Sequence, residues 1–345
     1  MAIITVIGAG MMGSALAFPL RDNGHTVRIA GSPLDGEIID RLRIDGYHLN
    51  LKRTLPGGIE YYDVSEIDRA ITGADLILCG VSSFGLDWFI QSIIPILQGG
   101  VPVLSVTKGM LDLADGGMTT YPELFRTSTD KSIPFCAVGG PSTSYELADR
   151  DYTCVTFCGW DMDVLRRIKA YFASDYYHIS LSTDVRGVEC AVALKNAYAL
   201  AVSLAVGMSW AREGREFEHY NSQAALFGQS IFEMQALLRL CGEKDSNIML
   251  AAGDLYVTVF GGRTRKIGTL LGTGLGIEEA LETLSGVTLE SIVITKRMAR
   301  AVGVLKARGE IPNDAFPLLC HIGELVEGKT KRDIPWGKFE REVEI

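Results

Sequence analysis

Histidine and cysteine are scarce and scattered. Five histidines and seven cysteines lie in 345 residues. There is no HExxH motif, and the one close cysteine pair, Cys154 and Cys158, has no second pair and no histidine pair beside it, so no metal site is expected. The odd cysteine count and the apolar settings point to reduced, mostly buried thiols, as in a cytoplasmic protein. Positive charge is short as well. Lys and Arg number 33 against 42 Asp and Glu, a net charge of −9, which argues against a nucleic-acid surface but leaves room for a local basic pocket. No charge-free apolar run is long enough to span a bilayer, because Lys195-Asn196 interrupts the best one, so membrane insertion is not expected. The N-terminus has no basic leader and runs straight into a strand, so no signal peptide is expected. Internal repeats and low-complexity segments are missing too.

What is present reads as an α/β half followed by an all-α half. The chain is 47% hydrophobic and 22% charged, ordinary for a globular protein of two domains. Ile3–Ile7 is a buried strand, Gly8-x-Gly10-x-x-Gly13 follows, Ser14–Leu20 reads as a helix, and Thr26–Ala30 is the next strand. This is the dinucleotide fingerprint in its strand–turn–helix context, a doubly wound, Rossmann-type sheet in which Gly8, Gly10, Met11, Met12 and Gly13 face the pyrophosphate. NAD binders usually carry an acid at the end of the second strand. Here Ala30-Gly31-Ser32 stands there and Asp35 lies beyond the turn. Ser32, helped by Arg41 or Arg43, could instead bond a 2′-phosphate, a slight lean to NADP over NAD.

Further buried strands end at segments that a parallel sheet turns toward its ligand. Ala74–Cys79 ends at Ser82 and Phe84, Pro102–Val106 at Thr107-Lys108-Gly109, and Phe135–Val138 at Gly140-Pro141-Ser142-Thr143-Ser144. Strands at Thr153–Phe157 and Tyr177–Leu181 complete the sheet. After about Thr183 strand signals stop, which sets a dinucleotide-binding domain at 1–184 and a helical substrate-binding and catalytic domain at 185–345, with the ligand between them. Ser209–Tyr220 is charged and reads as a surface loop.

Two polar interruptions of apolar sequence carry the chemistry. Cys190–Val206 is apolar on nearly every face of a helix, yet it contains Lys195 and Asn196. A buried lysine needs a partner or a lowered pKa. Ala252–Lys266 holds Asp254 in an apolar stretch, a partner for Lys195 or Lys108, and then Gly261-Gly262-Arg263-Thr264-Arg265-Lys266 opens a helix N-terminus suited to phosphate.

These pieces, in this order, resemble the NAD(P)-dependent glycerol-3-phosphate dehydrogenase family. The Ala193-Leu194-Lys195-Asn196 and Gly253-Asp254-Leu255…Gly261-Gly262-Arg263 blocks are the specific part, with Asn221-x-x-Ala224-Ala225-Leu226 and Glu233-Met234 between them. The resemblance implies interconversion of sn-glycerol 3-phosphate and dihydroxyacetone phosphate. It implies that Lys195 exchanges a proton with the substrate oxygen, that Lys108 lies against cofactor and substrate, and that Asp254 and Thr258 hold the lysine and substrate. Gly140, Ser142, Asn196, Gly262, Arg263 and Thr264 would bind substrate. Arg263 and Glu290, in Thr288–Ser291, would also touch the cofactor, and Ser144 would join them. Thr264 replaces the asparagine expected beside the arginine, which removes one amide donor, and the 209–220 segment is longer than the family leads one to expect. A small phosphorylated substrate and a homodimer are the expected partners. The rivals are a dehydrogenase of another polyol or ketose phosphate, or of a hydroxy acid or opine, and a non-catalytic dinucleotide sensor.

Overall fold

The computed structural model describes residues 1–214, 217–285 and 289–342. The chain forms two compact units, Met1–Lys108 with Thr120–Glu189, and Gly109–Thr119 with Cys190–Ile345.

The first unit is built on one sheet of eight strands: β1 (Ile3–Ile7), β2 (Thr26–Ala30), β3 (Glu60–Tyr62), β4 (Leu76–Cys79), β5 (Val103–Ser105), β6 (Phe135–Gly139), β7 (Thr153–Gly159) and β8 (Tyr177–Ser182). Their order is β8-β7-β6-β5-β4-β1-β2-β3, and all neighbours are parallel except β6 with β7. The inner parallel strands are covered on both faces and read as apolar runs rather than as alternation; every residue of β4 is buried. The edge strand β3 left no such signal, being three residues long and only partly buried. The order reverses on either side of β1. There Ile7 stands level with Ala30 of β2 and with Cys79 of β4, so three carboxyl ends open at one place. Ligands of open α/β sheets bind at that kind of switch point.

The helix after β1 starts earlier than the sequence suggests and is broken. It runs as α1 (Met11–Ala15) and then Ala17–Asp22, with Leu16 between. Pro19 accounts for the break, since it has no N–H for the Ala15 carbonyl and its ring crowds that oxygen.

The second unit is helical: α2 (Val185–Glu213, its first five residues grouped with the sheet), α3 (Tyr220–Leu240), α4 (Ile248–Val259), α5 (Gly262–Thr273), α6 (Glu290–Ala307) and α7 (Pro317–Val326). A two-stranded ribbon, Met110–Asp112 with Met118–Thr120, belongs to it. Arginines of α6 and its C-cap hold the ribbon: Arg297 donates to the Met110 carbonyl (2.9 Å), Arg300 pairs with Asp112 and the C-cap Arg308 donates to the Asp115 carbonyl (2.7 Å). Helix α2 is long and apolar enough to cross a bilayer by length and composition, and 94% of its most apolar stretch is buried within the protein. It is the core helix, with the buried apolar residues of α3 to α7 gathered in one cluster with it.

The surface loop expected at Ser209–Tyr220 starts as helix. Helix α2 continues to Glu213, and Ser209 is buried and bonds back to the Ala205 carbonyl (2.9 Å). Arg215 and Glu216 lie outside the described residues. Arg212 and Glu213 belong to the emerging end of that long helix.

Two features position the other helices around α2. The Glu233 carboxylate, inside α3, accepts the backbone N–H groups of Leu318 (2.8 Å) and Leu319 (3.0 Å), capping α7, and also bonds Tyr198 Oη (3.0 Å) and Gln229 (2.8 Å). A carboxylate suits the positive end of a helix. Helix α5 crosses α2 backbone to backbone: a Cβ on Gly268 would lie 2.6 Å from Ser203 Cβ and 2.7 Å from the Leu200 oxygen, and one on Gly272 would strike the Leu204 carbonyl. Gly272→Ala is therefore expected to destabilise the protein by about 1–3 kcal/mol in denaturant unfolding. An unchanged midpoint would contradict this close crossing.

Candidate functional site

In the sheet unit the glycine loop is fixed by residues from three other segments. Gly8 has φ +92°, the left-handed region that glycine tolerates, and Gly10 lies against the Gly80 carbonyl at the end of β4 with no room for a Cβ. A loop whose backbone is kept this bare fits the close approach of a pyrophosphate. Between the two glycines, both polar atoms of Ala9 are held. Its N–H donates to Asp35 Oδ2 (3.0 Å), and its carbonyl accepts from His48 Nε2 (2.9 Å). The His48 tautomer follows from its other nitrogen, because Nδ1 accepts the Leu51 N–H (3.1 Å) and so Nε2 carries the proton. Burial holds the His48 pKa down, which keeps that ring neutral.

Neither Asp35 nor His48 is given a role by the sequence. Asp35 was in view as an acid beyond the turn, but the turn folds back and returns its carboxylate to the end of β2. His48 gave no local signal. The 2′-phosphate group proposed from sequence also changes character. Ser32 spends both its N–H (2.8 Å) and its hydroxyl (2.6 Å) on Asp35, Arg41 pairs with Asp45 (2.6 Å), and Arg43 pairs with Asp63 and Glu66 (2.6 Å each).

The loop after β6 packs on the glycine loop. Ser142 Oγ lies 3.9 Å from Met12 Sδ and Tyr145 Oη 3.6 Å from Met11 Sδ, so Gly140–Tyr145 and Met11–Met12 form one surface with Ser144 buried behind it. Lys108, at the end of β5, donates from Nζ to the Gly140 carbonyl (2.8 Å). The Gly140 oxygen thus holds the lysine. Ser82 and Phe84 follow β4 on an exposed turn, Phe84 being 62% exposed. Glu189 is fully buried in this unit, and neither carboxyl oxygen has a hydrogen-bond partner among the described residues. Burial pushes its carboxyl up to about 8, with the Lys108 charge pulling it down and Glu123 adding to the rise.

In the helical unit the sequence prediction for Lys195 is met directly. Its Nζ pairs with Asp254 Oδ1 across α2 and α4; Lys195 is 8% exposed and Asp254 is 0% exposed. Asn196 is half-buried next to it. One turn after Asp254, Thr258 Oγ1 donates to the Asp254 carbonyl (2.7 Å), so its proton is engaged and the hydroxyl is left to accept. Helix α4 ends at Val259, and α5 begins at Gly262, with φ +78°. Arg263 is exposed on the first turn of α5 and Thr264 is buried beside it. The first amides of a helix have no intrahelical acceptor, so this turn joins free N–H groups to a guanidinium. Arg265 instead braces the junction, donating to the Val259 carbonyl (2.7 Å) and pairing with Glu218 (2.7 Å). Glu290 stands half-buried at the first position of α6; Thr288 before it lies outside the described residues. Among the described residues no group of three or more His, Cys, Asp or Glu gathers as a metal site, and none of the seven cysteines is bridged.

A bare glycine loop at a sheet's switch point, followed in the chain by helices that bury a lysine on an aspartate, is the architecture of a two-domain dehydrogenase of the Rossmann type. The comparisons with known proteins define which one. The family model described as NAD-dependent glycerol-3-phosphate dehydrogenase N-terminus matches residues 3–164, and its C-terminus counterpart matches 184–333. An NADP(+)-dependent glycerol-3-phosphate dehydrogenase of Archaeoglobus fulgidus is 33% identical over 285 residues, covering 82% of this chain and 83% of the relative. A glycerol-3-phosphate dehydrogenase [NAD(P)+] of Desulfotalea psychrophila is 31% identical over 302 residues, 85% of each chain. The fold is also that of a crystal structure of glycerol-3-phosphate dehydrogenase from Coxiella burnetii, with TM-score 0.80, 23% identity and 96% of each chain covered. The chain belongs to the NAD-dependent glycerol-3-phosphate dehydrogenase family and is an NAD(P)-dependent oxidoreductase.

Glu189 offers a check on the burial described for the sheet unit. Its folded pKa is raised from 4.5 to about 8, so the folded state binds the proton more tightly than the unfolded chain. The resulting stability is full below about pH 4.5 and is lost as pH rises to about 8. Glu189→Gln stays neutral, so its Tm should fall less than the wild-type Tm across that window. Parallel Tm–pH curves for the two proteins would show that Glu189 ionises as freely in the fold as out of it.

Proposed function

We propose that this protein interconverts sn-glycerol 3-phosphate and dihydroxyacetone phosphate with NAD(H) or NADP(H). The observation that carries this reading is the buried Lys195–Asp254 pair on α2 and α4, followed after α4 by the Arg263 turn of α5. Phosphate recognition and proton transfer are thereby supplied by consecutive segments of one helical unit.

Bound nicotinamide supplies the hydride in reduction and takes it in oxidation. The residues of this chain do the rest. In the reducing direction Lys195 donates the proton to the carbonyl oxygen as negative charge grows there, and in oxidation it takes the proton from the hydroxyl. Asp254 fixes the ammonium in one position in a dry setting, where a positioned charge acts with most effect on a developing oxyanion. Lys108, held on the Gly140 oxygen, supplies a second positive charge to the same oxygen. Thr258, its proton spent on α4, accepts a hydrogen bond from a substrate hydroxyl, with Asn196 and Ser142 as further contacts. Arg263, with the N–H groups of the Gly262–Thr264 turn, binds the phosphate and so orients the carbon that reacts. Thr264 brings a buried hydroxyl in place of an amide, so most of the phosphate's binding falls to Arg263 and the helix amides. Gly8, Gly10, Met11, Met12, Gly13, Ser32, Ser82, Phe84, Ser144 and Glu290 are assigned to the cofactor. A homodimer in the cytoplasm is the setting we propose; the seven unbridged cysteines support a reducing compartment.

The direct test is the loss of reduced-nicotinamide absorbance when purified protein is mixed with dihydroxyacetone phosphate and NADH or NADPH. Steady consumption with either cofactor supports the reading, and no consumption with both contradicts it. Lys195→Ala is expected to lower kcat by about 100-fold or more, with the dissociation constant for the reduced cofactor little changed. A variant with near-normal turnover would remove Lys195 from the chemistry.

A further inference from the structure

The second strand β2 ends at Ala30 without an acid, and the chain then turns through Gly31, Ser32, Pro33 and Leu34 to Asp35. In the structure Asp35 is half-buried and reaches back across this turn. One oxygen, Oδ2, accepts three hydrogen bonds: from Ser32 N–H (2.8 Å), from Ser32 Oγ (2.6 Å) and from Ala9 N–H of the glycine loop (3.0 Å). The carboxylate therefore joins the end of β2 to the glycine loop, the two segments between which a dinucleotide's adenosine ribose lies in this type of sheet. Its other oxygen takes no hydrogen bond among the described residues.

A ribose 2′-hydroxyl and a 2′-phosphate ask for opposite things at this point. The hydroxyl needs an acceptor, whereas the phosphate needs donors and positive charge. Here the nearby donors of Ser32 are saturated by a resident negative charge. The two arginines of the following helix are committed elsewhere, Arg41 to Asp45 and Arg43 to Asp63 and Glu66. A 2′-phosphate would have to displace Asp35 from three hydrogen bonds or sit beside its charge.

We infer that Asp35 selects the cofactor: it accepts the ribose 2′-hydroxyl of NAD(H) and repels the 2′-phosphate of NADP(H), doing from the following turn what an acid at the strand end does in other dinucleotide folds. This rests on the dinucleotide reading of the Gly8–Gly13 loop, and it reverses the preference that Ser32 alone suggests.

The test is a pair of equilibrium titrations of the purified full-length protein, one with NADH and one with NADPH, reading the nicotinamide fluorescence and needing no substrate. The wild-type protein should bind NADH about tenfold tighter or more, the scale of one unfavourable charge contact at a partly exposed site. Asp35→Asn keeps the shape and removes the charge, and should bring the two dissociation constants within about threefold, chiefly by tightening NADPH. Asp35→Ala also releases Ala9 and Ser32 and should weaken NADH. Equal binding of the two cofactors by wild-type protein, tighter NADPH, or an unchanged ratio in a folded Asp35→Asn protein would overturn the assignment. The wild-type comparison decides even if a variant does not fold. Binding of neither cofactor overturns the dinucleotide reading itself, and the assignment with it.

Discussion

The ammonium of Lys195 sits inside a long, mostly apolar helix, and the second unit is arranged around keeping it there. Removing that charge from water is costly, and the pairing with Asp254 is what makes the position tolerable. The pairing ties α4 to α2 at one point of their contact. The glycines of α5 then bring that helix onto α2 at backbone distance, which limits where the Arg263 turn can stand. A buried ion pair adds little stability that apolar side chains would not supply as well. Its presence in so apolar a setting is better explained by chemistry than by packing, and a fixed ammonium shielded from water is a suitable proton donor to a ketone.

The sheet unit solves a different problem. It must hold a stretch of bare backbone in one shape, although that stretch has almost no side chains to pack. The solution is to tie the peptide of Ala9 at both ends, through Asp35 on one side and neutral His48 on the other. The helix that follows is short and interrupted before Pro19, so the rigidity of the loop comes from these side chains and from the Gly80 contact as well as from the helix. Lys108 is treated in the same way, its flexible stem fixed by one bond to a backbone oxygen. In both units, groups assigned to binding or catalysis are held by a partner before any ligand arrives, which lowers the entropy lost on binding.

Much of this was legible in the residues. Buried parallel strands announce themselves as apolar runs, and β1, β2 and β4 to β8 were read close to where they lie. The fingerprint loop could be read because it is a local pattern, and the need of Lys195 and Asp254 for partners because each interrupts an apolar stretch; that they choose each other, rather than Asp254 choosing Lys108, came from the structure. What escaped was of three kinds. Asp35 and His48 act through folding of turns, and sequence distance does not say that a turn comes back. The bonds that Thr258 and Gly140 already make were also out of reach: Thr258 donates its proton to its own helix and Gly140 accepts from Lys108, and only coordinates show such commitments. The end of α2 was misjudged because a helix leaving the core becomes charged as it reaches solvent, and charge was taken as the mark of a loop. Glu189 passed unnoticed in the same helix, since a single acid among apolar residues reads as a surface position until its burial is known.

The central claim is that the amine of Lys195 itself moves the proton, and chemical rescue tests it most directly. Turnover of Lys195→Ala would be followed as small primary amines of increasing basicity are added. The account predicts that activity returns in proportion to the amine concentration and depends on the amine's pKa, because the missing group is replaced by a free one in the space it left. A folded, cofactor-binding variant that no amine restores, or whose residual rate is already close to that of the wild type, would contradict it.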